Sequence, residues 1–134
     1  MRALVAPALL LLLVTGCEPA TLTELQEDIF TPSCALEGCH SDFLAGRDLN
    51  LSDGNSYSAT VGVTAQEPNY TLVVPGDPDA SLLYVVLLGD IFGDGEDQLP
   101  TLGQMPPRLG SDSGMTQQQQ AAVRSWIADG AQDN

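Results

Sequence analysis

Two of the three cysteines and the only histidine of this chain lie within one short segment, Cys34-Ala35-Leu36-Glu37-Gly38-Cys39-His40. Two thiols and an imidazole so close together restrict the fold, because the surrounding chain must enclose whatever they bond. The sequence allows three alternatives for these side chains: they attach a haem covalently, Cys34 and Cys39 form a disulfide, or the three residues bind a zinc ion.

The first residues indicate export. Arg2 precedes the apolar run 3–14, and Thr15-Gly16-Cys17 follows it. The run is shorter than the roughly 20 apolar residues of a spanning helix, which favours a cleaved signal peptide over 1–16. Small residues before Cys17 resemble the lipobox of bacterial lipoproteins and predict lipidation of Cys17, with an ordinary signal peptide as the alternative. We expect an anchored linker over 17–21 and one domain over 22–134, in the cell envelope and facing the periplasm or the cell surface.

The charge excludes some partners. Four cationic side chains, all arginine, stand against eighteen Asp and Glu, which gives a formal net charge of −14. Nucleic acid needs clustered cations, so it is not an expected partner, and anionic lipid headgroups are disfavoured for the same reason. A basic protein partner fits this charge.

Helix signals occur at three places. Thr21 with Glu24 has the form of a capping box, Leu22, Leu25 and Ile29 share a helical face, and Pro32 is expected to limit this first helix. Asp77-Pro78 predicts the start of a second helix that ends at Gly89. Its apolar face would be formed by Leu82, Leu83, Val86 and Leu87.

The last helix is predicted to begin at a second capping box, Thr116 with Gln119, and to end at Gly130. Val123, Trp126 and Ile127 mark its buried face. The segment 41–74 reads as loop with one short helix, Val73-Val74 as a brief extended piece, and Pro75-Gly76 as a turn. The fold class is therefore all-α, with long polar loops around a centre that a planar apolar cofactor would fill.

Covalent haem attachment uses two thiols, which add across the two vinyl groups, and an adjacent histidine that ligates the iron. The usual spacing has two residues between the cysteines, whereas this chain has four between Cys34 and Cys39. The extra residues must bulge, and Gly38 can take the backbone angles that a bulge requires. A disulfide remains the main alternative. Zinc is weaker, because Cys34, Cys39 and His40 supply three ligands where a structural site needs four.

A sixth iron ligand cannot be a second histidine. Met105 is the preferred candidate, because the loop Met105-Pro106-Pro107 is stiff and lies far along the chain from His40. Met115 is the alternative, although it precedes the Thr116 cap and is expected to cover a helix end. Arg47 and Arg108 are candidates to pair with haem propionates, an inference that rests only on their charge. The acidic residues Asp90, Asp94, Glu96 and Asp97 read as a solvated loop rather than a calcium site.

Together these pieces resemble the bacterial mono-haem c-type cytochrome family, especially its exported lipoprotein members, over about Leu22 to Ala131. The matching parts are Cys34…Cys39-His40, the entry Val74-Pro75-Gly76-Asp77-Pro78 with Ser81-Leu82-Leu83-Tyr84, Met105-Pro106-Pro107, and the closing Val123…Trp126-Ile127…Gly130-Ala131. The resemblance implies a small cytochrome c-like helical domain in which the first and last helices cross, with Trp126 at that crossing or near the haem.

The resemblance further implies one haem c, held by Cys34 and Cys39, with His40 and Met105 as axial ligands. The expected function is outer-sphere electron transfer with transient redox partner proteins, and not catalysis. The competing expectation is a disulfide-stapled, non-redox envelope lipoprotein that acts as a binding module. A haem sensor or peroxidase-like enzyme is a third, and would need an open distal position on the iron.

Overall fold

The computed structural model describes residues 18–66, 69–88, 104–107 and 114–134, and this part of the chain is helical. Its elements are helix α1 (Leu22–Leu25), a π-helix (Gln26–Cys34), a 3₁₀ turn (Gly46–Asp48), and helices α2 (Ser56–Thr60), α3 (Leu82–Leu88) and α4 (Gln117–Ala128). Isolated bridges join Val61 to Val73 and Thr71 to both Thr64 and Ser81, and the described residues form no strand. The prediction of an all-α fold is confirmed at this level.

Helix α1 begins at the predicted capping box. The Thr21 hydroxyl accepts a hydrogen bond from the Glu24 backbone N–H, and the Glu24 carboxylate accepts one from the Thr21 N–H at 2.8 Å. The bond from the Thr21 N–H, together with one from the Thr21 hydroxyl to the same carboxylate, lowers the pKa of the Glu24 carboxyl. Leu22, Leu25 and Ile29 are buried, as their spacing predicts.

The expectation that Pro32 limits the first helix is wrong. The helix widens at Gln26 into a π-helix that contains Pro32 and ends only at Cys34. Proline disrupts an α-helix because its ring meets the carbonyl four residues earlier and because it has no N–H to donate. A wider π turn moves that carbonyl away from the ring. The helix thus leads directly into the first cysteine.

The middle of the chain is mostly irregular, as predicted, with α2 as its short helix. The buried Gln26 side chain ties this region to the π-helix, because its amide donates to the Leu51 carbonyl at 2.9 Å and its oxygen accepts from the Ser56 hydroxyl. Val73 pairs with Val61, and Asp77 N–H bonds to the Val74 carbonyl at 3.0 Å across the predicted Pro75-Gly76 turn.

The predicted helix start at Asp77-Pro78 is also wrong. The Asp77 carboxylate accepts from the Ala80 N–H at 3.1 Å, which closes a turn, and α3 begins only at Leu82. The backbone of Leu82 instead donates to the Thr71 carbonyl, so pairing with a neighbouring segment delays the helix. The predicted buried face is confirmed, whereas the predicted stop at Gly89 lies outside the described residues. The buried face of α3 is formed by Leu82, Leu83, Val86 and Leu87.

Helix α4 follows its prediction throughout. Thr116 and Gln119 form the capping box, and Gly130, with φ of +101°, follows the last turn in a left-handed conformation that suits glycine. Val123, Trp126 and Ile127 are buried.

The first and last helices share the main core. The Ala20 N–H donates to the Ser125 hydroxyl at 2.9 Å, and the N–H of Leu22 donates to the side chain of Asn134 at 3.0 Å. Trp126 is buried in this core, where its indole N–H donates to the Gln132 carbonyl at 2.9 Å. Arg124 connects α4 to the α3 region through the Asp79 carboxylate at 3.5 Å and the face of the Tyr84 ring. Within the described ranges no helix is long and apolar enough to cross a membrane.

Candidate cofactor site

Four side chains singled out from the sequence lie on one cleft. Cys34, Cys39, His40 and Met105 all line a cleft of about 250 Å³, which we call the cysteine cleft. Its other walls come from the loops on either side. They are Ser33, Gly38, Gly46, Arg47, Pro106 and Pro107. The structure therefore brings the Met105 loop to the segment that carries both cysteines, although the two are far apart in the sequence.

The four residues between the cysteines form a compact turn. The Cys39 N–H donates to the Leu36 carbonyl at 2.9 Å, and the His40 N–H donates to the Cys34 carbonyl at 3.1 Å. Gly38 has a φ of +87°, in the left-handed region that costs L-residues with side chains about 1–2 kcal/mol. The prediction that Gly38 takes backbone angles suited to a bulge is confirmed. The turn lets both thiols and the imidazole line one cleft.

The imidazole of His40 is oriented by two backbone carbonyls. Nδ1 lies 2.9 Å from the Gly46 oxygen and 3.2 Å from the Leu49 oxygen. A carbonyl oxygen only accepts hydrogen bonds, so Nδ1 carries the proton and shares it between them. The neutral ring then has its lone pair on Nε2, which is the arrangement that a metal-ligating histidine needs.

The Gly46 backbone is held tightly against the cysteine segment. Its N–H donates to the Cys39 carbonyl at 2.7 Å, and a Cβ at this position would lie 2.8 Å from the same oxygen. Only glycine fits here without a backbone shift. Because the Gly46 carbonyl also accepts from His40, this glycine links the position of the turn to the orientation of the imidazole.

The two thiols differ in their surroundings. Both are free thiols in the structure, and Cys34 is half-buried whereas Cys39 is exposed. Burial, with a smaller contribution from the neighbouring Cys39, raises the pKa of the Cys34 thiol to about 11. Cys34 therefore stays protonated at neutral pH.

A second cleft adjoins the first. It also has a volume of about 250 Å³, and His40, Arg47 and Met105 line both clefts. We call it the apolar cleft, because most of its wall consists of aliphatic side chains. They are Leu49, Val63, Ala65, Leu72, Leu82, Leu83 and Val86. Apolar walls with a few convergent polar groups are typical of cofactor sites.

Met105 occupies the boundary between these clefts. Its backbone N–H donates to the Val86 carbonyl at 2.9 Å, which fixes the loop to the end of α3, and its side chain packs against both apolar clusters of the core. Met115, the alternative ligand, is buried in the main core and lines neither cleft. It belongs to a core cluster that also contains Val123 and Trp126, in the middle and the last turn of α4.

These residues suit a haem group. Two thiols and an imidazole with a free Nε2 share the cysteine cleft, a thioether lies between the clefts, and the adjoining aliphatic wall offers an apolar surface to a planar macrocycle. Thiols, imidazole and thioether are the donor set used for haem c. Elsewhere in the described part of the chain, as in this cleft, no group of three or more His, Cys, Asp and Glu side chains is placed to hold a metal ion by itself.

Several predicted residues fall outside the described ranges, among them Cys17, Arg108 and the acidic stretch Asp90, Asp94, Glu96 and Asp97. Sequence reasoning missed the two carbonyls that orient His40, because a backbone acceptor leaves no residue-type signal. The one available hint was Gly46 itself, six residues after the histidine. No protein-family model, curated protein or solved structure matches this chain.

Proposed function

We propose that this protein is an envelope lipoprotein that binds one haem c through Cys34 and Cys39, with His40 and Met105 as iron ligands, and that it transfers single electrons. The observation that carries the proposal is the meeting of these four side chains on one cleft, with the His40 Nε2 lone pair left free by the bonds at Nδ1. The proposal includes a cytochrome c-like arrangement, which the shared core of the first and last helices supports.

The chain's own residues have separate roles in this proposal. Cys34 and Cys39 would hold the haem, because the S–H bond of each thiol can add across one vinyl double bond without an external oxidant or reductant. The hydrogen bonds from Nδ1 to the Gly46 and Leu49 carbonyls hold the imidazole in one tautomer. They also make Nε2 a more basic ligand for iron. Bound haem would supply one-electron redox chemistry, whose potential His40, Met105 and the apolar wall would tune.

The thioether of Met105 is proposed as the sixth ligand because it lines both clefts and because hydrogen bonding at its backbone N–H fixes its loop to α3. Methionine ligation raises the reduction potential relative to a second imidazole. Residues for acid–base or nucleophilic catalysis have no role in this function, which needs only binding, orientation and exclusion of water.

Haem staining after denaturing electrophoresis and an absorption spectrum test the proposal, on protein matured in cells that have cytochrome c assembly factors. Wild type should carry covalent haem, Cys39→Ala should lose or weaken the stain, and Ser58→Ala, an exposed change away from the clefts, should keep it. Colourless wild-type protein with a Cys34–Cys39 disulfide would instead support the non-redox binding module.

Lipidation has its own test. Cys17→Ser should abolish metabolic labelling with a fatty acid and release the domain from membranes, while haem staining of the released domain persists. Equal membrane association of the variant and the wild type would contradict the anchor and leave the haem proposal standing.

A further inference from the structure

Large apolar side chains are exposed on the loops that flank Cys39 and His40. Leu36 is 47% exposed, Phe43 83% and Leu44 52%. A single exposed leucine is ordinary, but a phenylalanine this exposed with two leucines on adjoining turns is typical of an interaction surface. We call Leu36, Phe43 and Leu44 the 36–44 patch.

Hydrogen bonds fix both turns of this patch to the cysteine segment. The Leu36 carbonyl accepts from the Cys39 N–H at 2.9 Å, and the Leu44 carbonyl accepts from the Ser41 N–H at 3.2 Å. His40 pairs with Ala45, so Phe43 and Leu44 lie at the tip of the turn between them. The patch is thus built on the same residues that form the proposed haem site.

A group bound in the clefts would leave the patch uncovered. Leu36, Phe43 and Leu44 line neither the cysteine cleft nor the apolar cleft. Their exposure among the described residues is therefore separate from the two clefts.

Acidic side chains flank the patch. Glu37 and Asp42 are exposed beside Leu36 and Phe43, and the Asp42 carboxylate is positioned by the side-chain amides of Asn50 at 2.7 Å and Asn55 at 3.2 Å. The whole chain carries a formal charge of −14. An apolar centre with an acidic surround attracts a surface with the opposite pattern, and repels acidic proteins and anionic lipids.

From this juxtaposition we propose that the 36–44 patch docks a basic redox partner protein, whose apolar contact area is ringed by Lys or Arg side chains. The inference rests on the proposed function, because docking beside Cys39 and His40 brings the partner's redox centre close to the haem. Small, transient, electrostatically steered encounters are the expected mode.

Stopped-flow oxidation of the reduced, haem-loaded protein tests this inference, with a strongly basic mono-haem cytochrome c as the probe oxidant and ferricyanide as a second oxidant that needs no docking surface. The double variant Phe43→Ser/Leu44→Ser should lower the second-order rate with the basic cytochrome on the order of tenfold. Tyr70→Ser, a matched control at a residue 38% exposed outside the patch, should leave it unchanged. Glu37→Lys should also slow the reaction at low salt, and the difference should shrink as salt rises.

The ferricyanide rate separates the two ways to fail. If the wild type and the patch variant react equally fast with the basic cytochrome, and equally fast with ferricyanide, docking at the patch is overturned. The proposed electron transfer would still stand. A wild-type protein without haem, inert to both oxidants, would overturn the proposed function and this inference with it. Loss of phosphatidylcholine vesicle binding in the patch variant, with electron transfer unaffected, would assign the patch to a membrane surface instead.

Discussion

The Nδ1 atom of His40 lies 2.9 Å from the carbonyl oxygen of Gly46, and the backbone of Gly46 is bonded in turn to Cys39. This pair connects the imidazole that is proposed to ligate iron with the turn that carries the thiols. A disturbance of the Gly46 backbone should therefore change the orientation of the imidazole.

Gly46→Ala tests that connection. The added Cβ would lie 2.8 Å from the Cys39 oxygen, so the backbone must shift and the bond from His40 should lengthen. We expect a loss of about 1–3 kcal/mol in unfolding free energy and an altered haem spectrum or reduction potential. Gly54→Ala is the control, since that glycine has a φ of +80° and open space around it. The control should lose stability through its backbone conformation alone, about 1–2 kcal/mol, and keep the spectrum.

The two internal methionines should separate ligation from packing. Met105→Ala should keep covalent haem, change the sixth ligand and lower the reduction potential. Met115→Ala should leave the ligand spectrum intact but destabilise the fold by about 2–5 kcal/mol, because Met115 is buried in the main core. Spectra, potentiometry and denaturant unfolding of both variants would show this, and a ligand change confined to Met115→Ala would reverse the assignment.

Before haem attachment, the two thiols should react at different rates. The pKa of Cys34 is raised from its ordinary value of 9.0 to about 11 by burial, so little thiolate forms near neutral pH. Cys39 is exposed. Iodoacetamide should alkylate Cys39 first at pH 8, as followed by mass spectrometry of the reduced protein. Faster modification of Cys34 would contradict this environment.

The same shift gives a pH dependence of stability for the reduced, haem-free protein. The folded state binds the Cys34 proton more tightly than the unfolded state, so the favourable contribution is complete below about pH 9 and is lost as the pH rises towards about 11. Urea midpoints of wild type should fall across this interval more steeply than those of Cys34→Ser. Urea midpoints that fall equally with pH in the wild type and in Cys34→Ser would contradict this pH dependence.

The cap of α4 offers a test that does not involve the site. Thr116→Ala removes the hydroxyl that accepts from the Gln119 N–H at 3.2 Å and should cost about 1 kcal/mol in unfolding free energy. Thr116→Ser retains the hydroxyl and should cost much less. Equal losses in the two variants would show that packing of the threonine methyl matters more than the cap.

Local signals in the sequence predicted the helix ends that depend on neighbouring side chains. Both capping boxes and the Gly130 stop are of this kind, since every partner lies within a few residues. Pro32 and Asp77 were misread because their outcome depends on tertiary structure. A π-helix accommodates the proline, and pairing of Leu82 with Thr71 delays α3.

The candidate site was predictable to a similar extent. Residue types identified Cys34, Cys39 and His40, and the stiff Met105-Pro106-Pro107 loop pointed to Met105. Met105 reaches the cysteine cleft because its N–H bonds to the Val86 carbonyl and its side chain packs against both apolar clusters of the core. These are contacts between residues far apart in the sequence, so a local sequence pattern does not predict them. The exposure of Phe43 was equally invisible, since an aromatic residue in a loop carries no sign of which way it faces.

Backbone oxygens, and not side chains, hold the imidazole of His40 in its tautomer. Every amino acid supplies a carbonyl, so the bond to His40 does not itself restrict the side chain at position 49, which needs only to remain aliphatic for the wall of the apolar cleft. Position 46 lacks this freedom, because any side chain there would meet the Cys39 oxygen. Tolerance to mutation around the histidine should therefore follow the route of the chain, with exchange among aliphatic side chains allowed at Leu49 and almost no substitution three residues earlier.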